Sequence, residues 1–138
     1  IKKLCNEFKF INCIHPNSNI ASDVVMGEGN VVMAGATINT SSEISSHCIF
    51  NTNCSIDHDN RIASFASIGP NAATGGNVEV GEFSAIGIGA SVQNNVSIGY
   101  NCIIGSSSLV NKNTKSNSVY YGMPAKFIRN HELGKKYL

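Results

Sequence analysis

The sequence predicts an all-β protein: a single-stranded parallel β-helix, which is a hexapeptide-repeat solenoid, with short helical ends. A bulky apolar residue recurs every six residues from Ile14 to Val110, and a smaller residue follows each of them four positions later. An α-helix cannot use a period of six, because the apolar side chains would spread around its surface. A short strand followed by a turn can use it, as in a β-solenoid. The repeated positions are Ile14, Ile20, Met26, Val32, Ile38, Ile44, Phe50, Ile56, Ile62, Ile68, Thr74, Val80, Ile86, Val92, Ile98, Ile104 and Val110, of which Thr74 alone is not bulky and apolar.

The repeat predicts a triangular prism of roughly five coils. Three hexapeptides close one coil, so residues eighteen apart stack at about 4.8 Å, the spacing of neighbouring strands in a sheet. The apolar residues then fill the prism as three columns, which start at Ile14, Ile20 and Met26. Chemistry must therefore lie on the outside of the prism or between subunits.

The chain outside the repeats predicts two short end segments. Residues 1–9 indicate the last turns of an amphipathic helix, and Phe10 to Ile14 an apolar strand that leads into the first coil. We predict the β-helix at 13–113 and a C-terminal tail at 114–138, with an extended stretch VYYGMPAKFIR and a short terminal helix or tail, NHELGKKYL. The tail is expected to cap the last coil, which otherwise presents an open sheet edge.

Composition agrees with one turn-rich β domain of 138 residues and excludes several classes of function. Only 14% of the residues are charged and the net charge is +1, which gives no reason to expect nucleic acid or an anionic membrane as a partner. No apolar run approaches the ~20 residues of a membrane span. No signal peptide is visible in a sequence that begins at Ile1 without Met. We expect a cytoplasmic protein.

The five cysteines are predicted to be reduced and structural. Cys48, Cys54 and Cys102 occupy the small-residue position, where a thiol packs as a compact apolar group. Cys5 and Cys13 precede the repeats, and no C-x-x-C occurs. Reduced thiols fit a cytosolic protein, and no metal site is expected.

One polar cluster can carry chemistry on the outside of the prism. It runs from Asn51 to Arg61 with the sequence NTNCSIDHDNR. His58 lies two positions after an inward-facing residue, so its side chain should not fill the core. Asp57 and Asp59 flank it, and an imidazole held near a carboxylate is a general base at neutral pH. A solvated turn is the alternative, and the spacing alone leaves both acids as candidate partners of the ring.

The chain from Phe10 onward resembles the hexapeptide-repeat acyltransferases, specifically the sialic acid O-acetyltransferase-like family, whose members include nucleotide-amino-sugar N-acetyltransferases. The stretches NTNCSIDHDNRI, GGNVEVGEFSAIGIGASV, IGSSSLVNK and VYYGMPAKFIR carry the resemblance. It implies a left-handed β-helix and an acetyl-CoA-dependent transfer of acetyl to the amino group of a nucleotide-linked amino sugar. It also implies a homotrimer with its sites in the clefts between subunits, and direct transfer without an acyl-enzyme.

The resemblance implies catalytic roles for three residues. His58 matches the general base, and Asp59 matches the acid that raises its basicity. Gly76 matches the glycine whose backbone N–H stabilises the developing oxyanion, which a residue without a side chain exposes most easily.

The resemblance also implies binding residues. Contacts with acetyl-CoA are expected at Ser67, Gly76, Ile88 and Ser106, and a contact on the acceptor side at Asn51. Ser67 departs from the family, because many relatives carry a second histidine at this position. Lys126 or Arg129 are candidates for contact with a CoA phosphate.

A second departure concerns the acceptor. Full-length relatives begin with a small Rossmann-like domain that holds the nucleotide, and only its exit matches here, in residues 1–12. We therefore expect this chain to bind acetyl-CoA and to acetylate nucleotide sugars poorly.

The residues argue against two other functions of β-solenoid proteins. A β-helix carbonic anhydrase needs three histidines around zinc, and the spacing of His15, His47, His58 and His131 does not provide them. An ice-binding solenoid needs a flat T-x-T array, and no such column exists. A catalytically idle trimeric scaffold is the non-enzyme alternative. Sugar O-acetylation of the sialic acid type is the alternative within enzymes, because the base would be the same.

Overall fold

The chain folds into a triangular parallel β-helix, seen in a computed structural model that describes residues 8–135. The predicted all-β solenoid is thus confirmed. The described residues contain no helix, and hence none that could cross a membrane. The coils consist of two-residue strands: β1 Cys13–Ile14, β2 Asn19–Ile20, β3 Val25–Met26, β4 Val31–Val32, β5 Thr37–Ile38, β6 Glu43–Ile44, β7 Ile49–Phe50, β8 Ser55–Ile56, β9 Arg61–Ile62, β10 Ser67–Ile68, β11 Ala73–Thr74, β12 Glu79–Val80, β13 Ala85–Ile86, β14 Ser91–Val92, β15 Ser97–Ile98, β16 Ile103–Ile104 and β17 Leu109–Val110.

The strands stack into three parallel sheets, one for each side of the prism. Sheet A contains β1, β4, β7, β10, β13 and β16, sheet B contains β2, β5, β8, β11, β14 and β17, and sheet C contains β3, β6, β9, β12 and β15. Partners are eighteen residues apart, so that Ser67 pairs with Ile49 on one side and Ala85 on the other. The stack comes to nearly six coils, slightly more than predicted, and is consistent with the left-handed form that the resemblance implies.

Three corners join the sheets and are named by the sheets that they connect. Corner 1 leads from sheet A to sheet B, corner 2 from sheet B to sheet C, and corner 3 from sheet C to sheet A. In many of these turns the third residue after the strand has a positive φ, for example 56° at Asn53 and 58° at Asp59. Asparagine, aspartate and glycine tolerate this left-handed conformation better than bulky residues do.

The core consists of the stacked apolar columns, as the repeat predicts. Phe50, Ile38, Ile56 and Ile68 are fully buried. Thr74 also points inward and is 6% exposed. Its buried hydroxyl has a hydrogen-bond partner, because Oγ1 accepts a hydrogen bond of 3.3 Å from the backbone N–H of Asp57 at the start of a corner 2 turn.

The cysteines of the coils pack as predicted. Cys48, Cys54 and Cys102 are buried and free, whereas Cys13 is free and exposed. Burial raises the pKa of Cys48 to about 11 and that of Cys54 to about 12, so both remain protonated at neutral pH. Cys5 lies outside the described residues.

A C-terminal hairpin covers the last coil. Strand β18, Ser118–Gly122, pairs in parallel with β16, and β19, Ala125–Asn130, pairs antiparallel with β18. The predicted extended stretch is therefore present, and it extends sheet A.

The predicted helical ends are not found where the structure can test them. A C-terminal helix is wrong for residues 130–135, because β19 continues to Asn130 and Gly134 has a φ of 83°, which leaves too few residues for a helix between them. The predicted N-terminal helix falls mostly on residues 1–7, outside the described range. The proposed boundaries at 12 and 113 remain predictions, with β1 starting at Cys13 and β17 ending at Val110.

Candidate active site

His58 lies in a turn of corner 2, with half of its side chain exposed (50%). Its ring Nδ1 is 2.6 Å from Oδ2 of Asp59. Asp57 contacts the backbone of His58 instead, since its Oδ1 accepts the N–H of His58 at 2.9 Å. Asp59, whose φ is 58°, is therefore the acid that meets the imidazole.

The two carboxylates make the imidazole more basic. The pKa of His58 is raised, first by the hydrogen bond to Asp59 and then by the charges of Asp57 and Asp59, while desolvation opposes the shift. The pKa of Asp57 is lowered, first by the N–H of His58 and then by the side chain of Asn39. Because Nδ1 faces a carboxylate, it carries the proton in the neutral ring and leaves Nε2 as the acceptor. No described residue forms a hydrogen bond with Nε2.

Gly76 lies one coil away, directly against the imidazole. A Cβ at this position would stand 2.5 Å from Cε1 and 2.7 Å from Nε2 of His58, so only glycine leaves the ring in place. Gly76 is buried, its carbonyl accepts the N–H of Asn95 at 3.0 Å, and its own N–H has no acceptor among the described residues. The N–H of Gly76 is therefore free to donate to a ligand.

Two residues to which the sequence assigned no role at the site, Asn60 and Thr74, hold this turn in place. Nδ2 of Asn60 lies within 3.0 Å of the carbonyl oxygens of Asp57 and His58 and 2.9 Å from that of Gly75. Thr74 bonds the N–H of Asp57 from the next coil, as described above. The signal for Thr74 was visible as the single break in the apolar column.

A groove of about 440 Å³ runs along sheet A and corner 1. Four predicted binding residues line it together: Asn51, Ser67, Ile88 and Ser106. The remaining lining is largely apolar or bare backbone, and the ring of Tyr121 from the hairpin lies at one end, packed against Gly105. Tyr121 was missed in the sequence because it lies outside the repeats.

The predicted site is thereby divided within one chain. His58, Asp59 and Gly76 lie at corner 2, whereas the groove lies on sheet A and corner 1, and sheet B separates the two. Asn51, expected on the acceptor side, lies with the predicted cofactor residues, and its Nδ2 donates to the carbonyl of Ile68 at 3.0 Å. Within residues 8–135, no group of three or more His, Cys, Asp and Glu side chains could hold a metal ion.

Comparison with known proteins found relatives among solved structures. PerB from Caulobacter crescentus, in complex with CoA and GDP-perosamine, is 36% identical over 93% of this chain and 64% of that chain, with a TM-score of 0.88. A histidine-to-asparagine variant of the perosamine N-acetyltransferase from the same organism, with the same ligands, is 35% identical over 94% and 64%, with a TM-score of 0.89. The acetyltransferase domain of PglB from Neisseria gonorrhoeae, in complex with acetyl coenzyme A, is 31% identical over 88% and 60%, with a TM-score of 0.87.

No protein-family model and no curated protein sequence matches the chain. The solved structures nevertheless confirm the resemblance carried by the sequence. The structures that it resembles are those of hexapeptide-repeat acetyltransferases, of which the perosamine N-acetyltransferase holds CoA and GDP-perosamine and the PglB domain holds acetyl coenzyme A. It is similar to PerB and spans 64% of the length of that protein.

Proposed function

We propose that this chain transfers acetyl from acetyl-CoA to the amino group of a nucleotide-linked amino sugar. The observation that carries the proposal is the exposed imidazole of His58, held by Asp59 and lying against the bare backbone of Gly76. The structure of PerB contains CoA and GDP-perosamine, which supports an acyl-CoA and a nucleotide-linked amino sugar as the two substrates here.

The geometry at corner 2 supports the following reaction. The amine nitrogen attacks the thioester carbonyl while Nε2 of His58 takes its proton, and Asp59 stabilises the imidazolium that forms. The carbonyl oxygen becomes negative in the tetrahedral intermediate, and the N–H of Gly76 donates to it. When the C–S bond breaks, the imidazolium returns the proton to the CoA thiolate, so that no acyl-enzyme is needed.

Acetyl-CoA is assigned to the groove on sheet A. Its volume lies within the usual range of ligand sites, and its apolar lining with a few polar side chains suits the pantetheine arm. The hydroxyls of Ser67 and Ser106 and the amide of Asn51 supply polar contacts, and Ile88 an apolar one. In this proposal residues 13–113 carry the transfer chemistry, and the hairpin of β18 and β19 closes the end of the prism. We also propose that the protein acts in the cytoplasm, where both substrates would be found.

We assign the complete site to a homotrimer, because one chain keeps its base and its groove on opposite sides of sheet B. A neighbouring copy can place its corner 2 against the groove of the first. Mixing His58→Ala chains with Ser67→Trp chains, whose groove is obstructed, tests this arrangement: mixed trimers should recover transfer that neither variant has alone. No recovery on mixing would overturn the shared site.

The proposed reaction is tested by following release of the CoA thiol with a panel of acceptors. We expect slow release with nucleotide-linked amino sugars, in keeping with the poor acetylation predicted above, and none with the matched nucleotide-linked sugars that carry a hydroxyl in place of the amine. Release with the hydroxyl acceptors only would show O-acetylation. Absence of release with every acceptor, although acetyl-CoA binds, would favour an idle scaffold.

Asp59→Asn is expected to move the acidic limb of the pH–rate profile to lower pH. Asp59 is the largest cause of the raised pKa of His58, so its neutralisation lowers that pKa. Only neutral imidazole accepts a proton, so transfer is lost as the pH falls through this pKa, and the variant loses it at lower pH. The plateau should also fall, by about 10- to 100-fold, because the ring loses a hydrogen bond to a charged group.

The matched control is Asp57→Asn, which removes an acid that does not contact the ring. Its acidic limb should move less than that of Asp59→Asn. Equal shifts in the two variants would contradict the assignment of Asp59 as the partner of the imidazole.

Tyr121→Ala is expected to weaken binding of acetyl-CoA by roughly tenfold, because the aromatic ring lines the groove and its loss removes contacts with the cofactor. Calorimetry with acetyl-CoA and no acceptor measures the effect. Tyr121→Phe keeps the ring and should bind as the unaltered chain does. Normal binding by the alanine variant would show that the cofactor does not reach the hairpin.

A further inference from the structure

Asn60 links the turn of His58 to the turn of Gly76 from inside the prism. It occupies a small-residue position of corner 2 and is fully buried. Its Nδ2 donates to the carbonyl oxygens of Asp57 at 2.8 Å and His58 at 3.0 Å, both in its own turn, and to that of Gly75 at 2.9 Å, in the next coil. Three carbonyl groups thus share the two protons of one amide.

The boundary between these two coils lacks a backbone hydrogen bond that neighbouring boundaries have. At other turns the first N–H donates to a strand carbonyl of the next coil, as from Asn39 to Ile56 at 3.0 Å. Here the N–H of Asp57 donates to the hydroxyl of Thr74 instead, at 3.3 Å. Side chains therefore replace part of the regular backbone ladder beside the proposed catalytic residues.

The carbonyl of Gly75 depends on Asn60 for its hydrogen bond. Where a coil has alanine at the position of Asn60, the next turn closes on itself. Above Ala72, for example, the N–H of Ala90 donates to the carbonyl of Gly87 at 3.2 Å. No such bond closes the turn of Gly75, and within the described chain the amide of Asn60 is the only donor to its carbonyl.

The asparagine also leaves one buried atom unpaired. Asn30 shows the complete arrangement at corner 3, where Nδ2 donates to the carbonyl of Ser45 at 3.0 Å and Oδ1 accepts the N–H of Cys48 at 2.8 Å. At Asn60 only the donor half is made, since Oδ1 is buried and has no hydrogen-bond partner in the part of the chain that the structure describes. A buried polar atom without a partner is destabilising, so stability alone does not explain an asparagine here.

The bond to Gly75 sets the direction of the N–H of Gly76. The two groups belong to one peptide, which is planar and trans, so its carbonyl and its N–H point in opposite directions. With the carbonyl held by the buried amide, the N–H is turned away from Asn60. Gly75 and Gly76 form the only Gly-Gly pair in the sequence, and glycine has more backbone freedom than any other residue, so this peptide needs a fixed partner. A carbonyl that accepts a hydrogen bond also polarises the N–H of its own peptide.

The geometry points to Asn60 as a positioning residue of the proposed reaction. It fixes the peptide between Gly75 and Gly76 so that the N–H of Gly76 faces the developing oxyanion, and it keeps this donor in register with the imidazole of His58. The inference rests on the proposed function, because it uses the roles assigned there to His58 and Gly76. Asn60 is buried and acts through these two groups.

Asn60→Ala is expected to lower kcat by about 10- to 100-fold with little change in the KM for acetyl-CoA. The turn of Gly75 should then close on itself, which moves the N–H of Gly76 relative to the imidazole, and displacements of about 1 Å at a catalytic group have effects of this size. Alanine stands at the same position in other turns, at Ala36, Ala66, Ala72 and Ala90. The variant should therefore fold, and an unchanged kcat would overturn the inference.

The pH–rate profile separates this effect from a change at the imidazole. Asn60 is not among the groups that shift the pKa of His58, so the acidic limb of Asn60→Ala should stay in place while the plateau falls. A limb that moves as far as that of Asp59→Asn would mean that Asn60 acts on the base and not on the oxyanion donor.

Asn60→Ser distinguishes the bond to Gly75 from the two bonds within the turn. Ser42 stands at the same position one coil earlier, and its hydroxyl donates to the carbonyl of Asp57 in the next coil at 3.0 Å. The serine variant should likewise keep a bond to Gly75 and recover most of the rate that the alanine variant loses. A serine variant as slow as the alanine variant would contradict the positioning of this peptide.

Asn30→Ala is the matched control. It removes an equally buried asparagine that bonds the next turn at corner 3, and Asn30 contacts neither His58 nor the groove. We expect a lower unfolding temperature and an unchanged kcat. An equal loss of kcat in both alanine variants would show a general loss of stability and would overturn the specific role of Asn60.

The amide resonance of Gly76 gives a measurement that needs no substrate. In isotopically labelled protein its chemical shift should change in Asn60→Ala and stay in place in Asn30→Ala. If it does so while the unaltered chain transfers no acetyl group, the proposed function is wrong and the control of this peptide by Asn60 stands. If the unaltered chain is active and the resonance does not move in Asn60→Ala, the inference about Asn60 is wrong and the proposed function stands.

Discussion

Replacing His58 by alanine is expected to lower kcat/KM for acetyl transfer by about 10²- to 10⁴-fold, the usual contribution of a positioned general base. The imidazole makes few contacts that stabilise the fold, so a loss of stability would not explain such a loss of activity. Half of it is exposed, and its one side-chain partner in the described chain is Asp59. The loss should appear mainly in kcat, because His58 is not among the residues that line the groove assigned to acetyl-CoA.

Two measurements separate this result from unfolding. Acetyl-CoA should bind to His58→Ala as it does to the unaltered chain, and the thermal unfolding curve should be unchanged. His15→Ala removes another exposed imidazole, one whose Nδ1 accepts the N–H of Asn17 at 3.1 Å in corner 1, and should transfer acetyl normally. Full activity of His58→Ala would refute the proposed mechanism.

Gly76→Ala is expected to lower transfer by about 10²- to 10³-fold, although it adds a single methyl group. The new Cβ would lie 2.5 Å from Cε1 of His58, so the imidazole must leave its position. Small misplacements of a catalytic group are costly, and the donor for the oxyanion is worth a similar factor. Steady-state kinetics with saturating acetyl-CoA measure the loss.

A double-variant comparison shows whether the methyl group acts through the ring. In a His58→Ala background there is no imidazole to displace, so Gly76→Ala should cost much less than it does alone. Equal losses in both backgrounds would mean that Gly76 affects transfer independently of His58.

The sequence predicts the solenoid well because the signal is periodic. Each apolar position repeats the same information, so the sheets and their register follow from the spacing. The turn geometry is harder, because it depends on φ at single residues. Asp57 and Asp59 are equivalent in the sequence, and they differ only in the folded turn, where Asp59 contacts the ring of His58 and Asp57 contacts its backbone N–H.

The features that sequence reasoning missed lie off the apolar column. Asn60 occupies a small-residue position, yet it holds the carbonyl groups of the turn that carries His58. Tyr121 lies in a hairpin outside the repeats. The stacked rings of Phe65 and Phe83 at corner 3 have a signal in the sequence, because they stand at a turn position that at corners 1 and 2 holds glycine, asparagine, aspartate or serine.

The eighteen-residue register has a consequence for how such a chain can change in length. Removing one hexapeptide between His58 and Ser106 would keep every turn intact but rotate all later coils by a third of a revolution. The later part of the groove would then lie on a different side of the prism and would no longer face the His58 of a neighbouring chain. Removing three hexapeptides would restore the rotation and shorten the cleft by one step of about 4.8 Å. Inheritable insertions and deletions in the body of this protein are thus expected to occur as whole coils, and the distance between base and groove can be tuned only in such steps.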